Sequence, residues 1–319
     1  MSIENKHMIG IVILNYENWQ DTYRCIRSIN SNPPLENFQI ILVDNASKSV
    51  PKYNLEEFIN TYHVIFIRNK KNFGYNAGNN VGIKKAQELG CSFILISNND
   101  VLFKKNTIQV LCDFLKSNPE VGIVGPKIFD REGCVQKSNL CRKTGMKEKY
   151  LVRTRANIIF KKEYETYFGF DRNYDEIFQV YAVLGCCFMM SKSCADAVTP
   201  LDEYPFLYEE ELILGIKMEQ KNFVTIYNPN AVIEHLHGAS TKSVKAFSFA
   251  HNVRSEIYYC RKYLNAGKIS IYPLYWYRVC LYLGRCVKYS DFRKGWRFFR
   301  KLTKEELELI SSNKKITIT

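Results

Sequence analysis

Apolar, β-branched runs alternate with helix-period segments along the first 130 residues. IGIVILNY (Ile9 to Tyr16) has the character of a strand, and QDTYRCIRSINS after it spaces Tyr23, Ile26 and Ile29 as a helix would before the turn Asn32-Pro33-Pro34. FQIILVDN repeats the strand pattern and ends in Asp44-Asn45; NLEEFIN reads as a short helix and HVIFIRN as a third strand. NNVGIKKAQELG then predicts a helix, SFILIS a fourth strand, NTIQVLCDFLKSNP a helix closed by Pro119, and VGIVGPKIF another strand. This alternation implies βαβ units, hence an α/β fold with a mostly parallel central sheet flanked by helices on both faces.

The regularity stops near Asp130. Residues 130 to 179 are polar, rich in Lys, Arg and Tyr, and suit a flap or substrate loop. A strand returns at VYAVLGCCFMMS, followed by FLYEEELILGIKMEQ and NPNAVIEHLHGAST. From about Val244 the chain reads as helical, with aromatic and basic residues interleaved, so residues 1–242 form the expected main domain and 243–319 a helical C-terminal region.

Within this pattern CSFILISNNDVLF is the informative stretch: an apolar run long enough for a buried strand stops at Asn98, Asn99 and Asp100. Strands of open α/β sheets present their chemistry where they emerge at the carboxyl edge, which makes Asp100 a candidate site residue. Alone, the triplet also reads as a turn. Asp44 and the Glu209-Glu210-Glu211 cluster occupy similar exits, where a capping residue or a solvated first helical turn is the plain alternative. YPFLY, just before the glutamates, sets them beside apolar and aromatic surface instead. Mg²⁺ or Mn²⁺ commonly joins a few carboxylates to substrate phosphates; Asp100 can supply one oxygen and His235 or His237 an imidazole. NKKNFGYNAGNNVGIKKA places Gly74, Gly78 and Gly82 among asparagines, a composition that allows close backbone approach to a ligand. Its spacing matches neither the Rossmann nor the Walker phosphate cradle.

With 46% hydrophobic and 24% charged residues, the 319-residue chain can bury a substantial core. Its eleven cysteines follow no metal-ligand spacing, and no N-terminal stretch resembles a signal peptide, so a reducing, cytoplasmic setting with free thiols is expected. No apolar run is long enough to span a bilayer.

The order of IVILNY, ILVDNAS, NFGYNAGNNVGI, SNNDV and LYEEELILGIK with its following EHLHGAST resembles the nucleotide-sugar-dependent glycosyltransferases of the GT-A fold, in particular inverting family 2 and its bacterial rhamnosyltransferase-like, polysaccharide-building members. The likeness covers roughly residues 8 to 242. It implies that Asn15, Tyr16 and Asp44 belong to a nucleobase pocket, with Asp44 accepting from the base, and that Asn76 and Asn80 line the nucleotide-sugar cleft. Asn98-Asn99-Asp100 stands where the family carries D-x-D, with Asn98 in place of the first acid and Asp100 as ligand to a divalent cation, Mg²⁺ or Mn²⁺. Glu210 and Glu211 stand where the family carries Glu-Asp. Aligned through Leu214 and Lys217, Glu211 takes the catalytic base position, with Glu210 as its competitor. His235 matches a late histidine near the metal or diphosphate, and Ser240 and Thr241 follow it. A degenerate, non-catalytic nucleotide-sugar-binding or scaffold protein is the alternative that Asn98 and the Glu-for-Asp change raise.

The implied donor is a UDP- or dTDP-sugar, and the acceptor a cell-surface glycan that can be lipid-linked. Charge bears on the acceptor. The chain carries +13, of which residues 242–319 hold 17 Lys and Arg against 5 Asp and Glu. Basic, aromatic helices of this kind suit the cytoplasmic surface of an inner membrane, where each Lys or Arg contributes about 1 kcal/mol. No nucleic-acid-binding motif accompanies them. A packed structural element with a solvated basic face is the competing reading.

Overall fold

The computed structural model describes residues 7–137, 139–236 and 245–311. His237, Ser240 and Thr241 lie outside the described residues. The first half follows the strand and helix pattern of the sequence: β1 (Met8–Asn15), α1 (Trp19–Ser31), β2 (Asn37–Asp44), α2 (Leu55–Thr61), β3 (Ile65–Arg68), α3 (Tyr75–Glu88) and β4 (Phe93–Asn98). β5 (Val101–Phe103), α4 (Thr107–Ser117) and β6 (Val121–Phe129) come next. The polar excursion folds into α5 (Met146–Leu151), a 3₁₀ turn at Arg155–Ile158 and α6 (Lys161–Phe168). β7 (Phe178–Val180), β8 (Cys187–Ser191), α7 (Lys192–Val198), α8 (Glu210–Gln220) and β9 (Val224–His235) complete the sheet region. Three helices close the chain: α9 (Lys245–Lys262), α10 (Lys268–Lys288) and α11 (Ser290–Ser311).

The nine strands form one sheet in the order β3-β2-β1-β4-β8-β6-β9-β5, with β7 on β9. Pairing is parallel through β3, β2, β1 and β4 and again between β6 and β9. It is antiparallel at β4–β8, β6–β8, β5–β9 and β7–β9. The sheet is thus parallel on one side and mixed on the other, because β8 runs back between β4 and β6. VYAVLGCCFMMS, continuous in sequence pattern, is strand only at Val180, the end of β7, and from Cys187 to Ser191 in β8; between them the backbone N–H and C=O of Gly185 are taken by Glu211 and Tyr75.

Apolar side chains cover both sheet faces. Ile9, Ile11 and Ile13 of β1 point to one cluster with Ile26, Ile29 and Leu111, whereas Val12 points to the other with Val43, Ile83 and Ile96. α3 lies close on β1: a Cβ at Gly82 would come within 2.3 Å of Val12 Cγ1, and one at Gly78 within 2.6 Å of Leu14 Cδ1. These glycines therefore admit the strand beneath the helix; the sequence alone had suggested that they admit a ligand.

A third cluster joins α8 to the excursion and the C-terminal helices, through Val152, Tyr167, Leu212, Ile216, Tyr259 and Phe299 among others. The helical region after residue 242 therefore shares a core with what precedes it. Many of its aromatics serve that core: Tyr282, Phe292 and Phe299 are buried and pack ring against ring. Among the described residues no helix is long and apolar enough to cross a membrane, and the eleven cysteines are free thiols.

Candidate active site

Register brings the strand exits together. Asn15 pairs with Asp44, Asp44 with Arg68, and Leu14 with Asn98, so the ends of β1 to β4 align at one carboxyl edge. The strand order reverses between β1 and β4, the position where open α/β sheets hold ligands.

Beneath that edge lies a polar network. Asn15 Nδ2 donates to Asp44 Oδ1 (2.9 Å) and Ser47 Oγ (3.2 Å), and its Oδ1 accepts from Thr22 Oγ1 (2.9 Å) and Asn99 Nδ2 (2.9 Å). Asp44 is wholly buried; Oδ1 also accepts from Ser47 Oγ (2.5 Å), and Oδ2 from the Ser47 N–H (3.2 Å), with Arg68 Nε at 3.4 Å. Its carboxylate ties the exits of β1, β2 and β3 together. Tyr16, the next residue after the β1 exit, is 38% exposed.

Asn76 and Asn80 hold the backbone of a neighbouring segment. Asn76 donates to the Asp202 carbonyl (2.7 Å); Asn80 donates to the Leu201 carbonyl (2.9 Å) and accepts from the Leu201 N–H (2.8 Å). They fasten the segment leading to α8 onto α3. Asn76 lines a small cavity with Tyr75, Gly185, Glu210 and Glu211, next to the open cleft that those four residues also line.

That cleft, about 290 Å³, is lined by Asn98, Gln136, Gly185, Glu210, Glu211 and His235, with Tyr75 and Tyr208 at its sides. β5 pairs with β9 so that Val101 faces His235, and this register sets His235 Nε2 3.2 Å from Asp100 Oδ1. Burial acts to lower the imidazole pKa, but hydrogen bonds to Asp100 and Cys186 outweigh it and raise it to about 10. The sequence distance of 135 positions between Asp100 and His235 is thus closed by strand pairing.

Across the cleft, Glu210 and Glu211 open α8. Glu210 Oε1 accepts from the Tyr208 N–H (2.7 Å), and Glu211 Oε1 from the Gly185 N–H (3.2 Å). A Cβ at Gly185 would stand 3.0 Å from Glu211 Oε1, so glycine lets the carboxylate approach the backbone. Burial, then the charge of Glu211, pushes Glu210 up to about 8. Glu211 is also raised by burial, while backbone N–H groups and the Arg153 charge draw it back. Both carboxyls are thus raised, and Glu211 is the one that has the Arg153 charge acting in favour of its ionised form.

Tyr208 and Glu209, just before α8, both adopt the left-handed region with φ of 74° and 70°. Their conformation is held from behind. Glu209 Oε2 accepts from Lys149 Nζ (2.6 Å), both side chains being out of contact with solvent, and Arg153 lies 3.7 Å from Oε1. Lys149 is 3.7 Å from Glu256, which Arg278 engages through two bonds of 2.7 and 2.8 Å. Ser255 Oγ donates to the Leu207 carbonyl (2.7 Å). Lys149, Arg153, Glu256 and Arg278 were not singled out from sequence, where they are basic and acidic residues in segments without a firm motif. The one sequence signal was Glu209 itself, a third acid beside two apparent site residues.

Among the described residues no three His, Cys, Asp or Glu side chains gather as a metal cage. Asp100 offers an oxygen and His235, once a cation displaces the proton it shares with Asp100, a nitrogen beside it, a donor pair that fits a hard or borderline cation whose remaining ligands come from substrate phosphate and water.

The sequence profile described as "Glycosyl transferase family 2" matches residues 10–198. A low-salt glycan biosynthesis hexosyltransferase of Haloferax volcanii is 25% identical over 216 residues, covering 67% of this chain and 62% of its own length. An N-acetylglucosaminyl-diphospho-decaprenol L-rhamnosyltransferase of Mycobacterium tuberculosis is 23% identical over 216 residues, 63% of this chain and 67% of its own. The fold matches a mannosyltransferase from Pyrobaculum calidifontis solved with GDP-Man and Mn²⁺, with a TM-score of 0.54 at 12% identity, over 97% of this chain and 76% of that one.

Proposed function

Because the chain belongs to glycosyl transferase family 2, we propose that its cleft transfers a sugar from a nucleotide-sugar donor to a glycan hydroxyl with inversion. The observation that carries this reading is the convergence of His235, in contact with Asp100, and of the glutamates Glu210 and Glu211 on one open cleft. Glu211 is the base. Its carboxylate takes the proton of the acceptor hydroxyl as that oxygen bonds to the anomeric carbon, and the electron pair of the breaking bond leaves on the diphosphate. A single carboxylate suffices because no glycosyl-enzyme is formed. Glu210, protonated near neutral pH, lets Glu211 keep its charge.

Asp100 and His235 would hold a divalent cation, which supplies charge neutralisation to the departing diphosphate. The mannosyltransferase of the same fold was solved with Mn²⁺ and a nucleotide sugar, which supports a cation here. Tyr16, exposed beyond the β1 exit, offers a ring to the donor base. The donor is a UDP- or dTDP-sugar. The mycobacterial relative is named for a lipid diphosphate, which supports a lipid-linked acceptor. The basic C-terminal helices would meet that acceptor at the cytoplasmic face of the inner membrane.

The test is a panel of UDP-, dTDP- and GDP-sugars incubated with the protein and Mn²⁺, Mg²⁺ or EDTA, followed by thermal shift and by nucleoside diphosphate release. One donor should stabilise the fold and turn over only with metal. Donor binding without turnover on any glycan acceptor would point instead to a binding protein. Isothermal titration of Mn²⁺ in the presence of the nucleoside diphosphate should show Asp100→Asn weakening the metal by at least about tenfold.

A further inference from the structure

α10 is apolar on two sides. Ile271, Leu274, Val279 and Tyr282 face the shared core. On the opposite side Ile269, Pro273, Trp276, Cys280, Leu283 and Val287 recur at alternating steps of four and three. All six are exposed, Ile269 at 92%, Val287 at 85% and Trp276 at 58%. On a helix rising 1.5 Å per residue this makes a straight apolar seam about 27 Å long. An uninterrupted exposed strip of this kind is a contact surface more often than a solvated one.

The charge around the seam selects its occupant. Lys268 and Lys288 stand at its ends, and the neighbouring α11 exposes Lys294, Arg297 and Lys301. Exposed acids on these two helices are confined to Glu305 and Glu308, near the end of α11. A second copy would offer an equally apolar seam but bring two basic regions together. A nucleic-acid backbone would satisfy the charge and leave the seam in water, since phosphates are met by cationic and polar donors. An anionic lipid surface satisfies both, with the apolar side chains at the acyl boundary, Trp276 at headgroup level and bases over the phosphates.

We infer that the Ile269-to-Val287 face of α10 is the surface by which this protein lies on an anionic membrane. It gives the membrane placement proposed above a specific contact and rests on that reading. It also differs from a general basic tail, because many aromatics of α10 and α11 are spent on the core.

The experiment is co-sedimentation of the full chain with phosphatidylcholine vesicles, with and without phosphatidylglycerol, at low and high salt. The wild type should partition onto phosphatidylglycerol vesicles and release with salt. The variant Trp276→Glu/Leu283→Glu, altered only at exposed positions, should lose at least about tenfold in partitioning, and Lys294→Gln/Arg297→Gln should lose less but keep its residual binding at high salt. Transfer to a short water-soluble acceptor, measured alongside, should be unchanged in both. Undiminished vesicle binding in Trp276→Glu/Leu283→Glu would overturn the seam while leaving the transfer chemistry standing. So would a wild type that ignores vesicles and sediments as a dimer which the same variant splits.

Discussion

Lys149 Nζ lies 2.6 Å from Glu209 Oε2 with neither side chain reaching solvent, so a residue of the polar excursion is ion-paired to the residue immediately before the glutamate pair. Removing one partner strands the other charge in a poorly solvated place. Lys149→Met should therefore cost on the order of 3–5 kcal/mol in urea unfolding. The double variant Lys149→Met/Glu209→Gln should recover a large part of it, because no uncompensated carboxylate remains. An additive double variant would show that the pair is not coupled.

This pair also explains why the excursion resisted reading from sequence, and why the C-terminal helices, legible as helices, gave no sign of the core they share with it. The strands of the first half announce themselves because each needs a run of apolar residues, and those runs end at polar exits. Asp100 was legible for that reason, and the sequence offered His235 or His237 as its imidazole partner. What sets His235 beside it is the β5–β9 register. The resemblance implied that Asn76 and Asn80 line the cleft; that their amides also hold the backbone of residues 201 and 202 was not legible, since it depends on how that segment packs on α3. Lys149 and Glu256, buried and charged, carry no local pattern, because only the packed structure supplies their partners.

Gly82 tests the packing claim directly. A methyl group there would enter the space of Val12 Cγ1 at 2.3 Å, in a strand fixed by neighbours on both sides. Gly82→Ala should destabilise the protein by about 1–3 kcal/mol despite the better helix propensity of alanine. Donor affinity measured at a temperature where the variant stays folded should be little changed, whereas a ligand-approach glycine would show the reverse.

The assignment of the base predicts a pH response. Glu211 is raised above its ordinary 4.5, so kcat/KM should fall as pH is lowered through that raised value, where the carboxylate gains a proton. Arg153 draws Glu211 down, and Arg153→Met should move the acidic limb to higher pH. Glu211→Gln should reduce transfer by about 10² to 10⁴ and flatten the limb. Full activity in Glu211→Gln together with a dead Glu210→Gln would move the base by one residue.

Glu210 predicts the opposite kind of effect, on stability. Its folded-state pKa of about 8 lies above the ordinary 4.5, so the native state binds this proton more tightly than the unfolded chain does. The associated stability is fully present below pH 4.5 and is lost as pH rises through about 8. Glu210→Gln keeps a neutral, hydrogen-bonding side chain at every pH and so removes the loss. Thermal unfolding followed across this window should show the variant gaining on the wild type as pH rises, with the two curves closest at the acidic end. Parallel curves would mean that Glu210 carries the same charge in both states and that Glu211 has no protonated neighbour, which would return the question of the base to the pair as a whole.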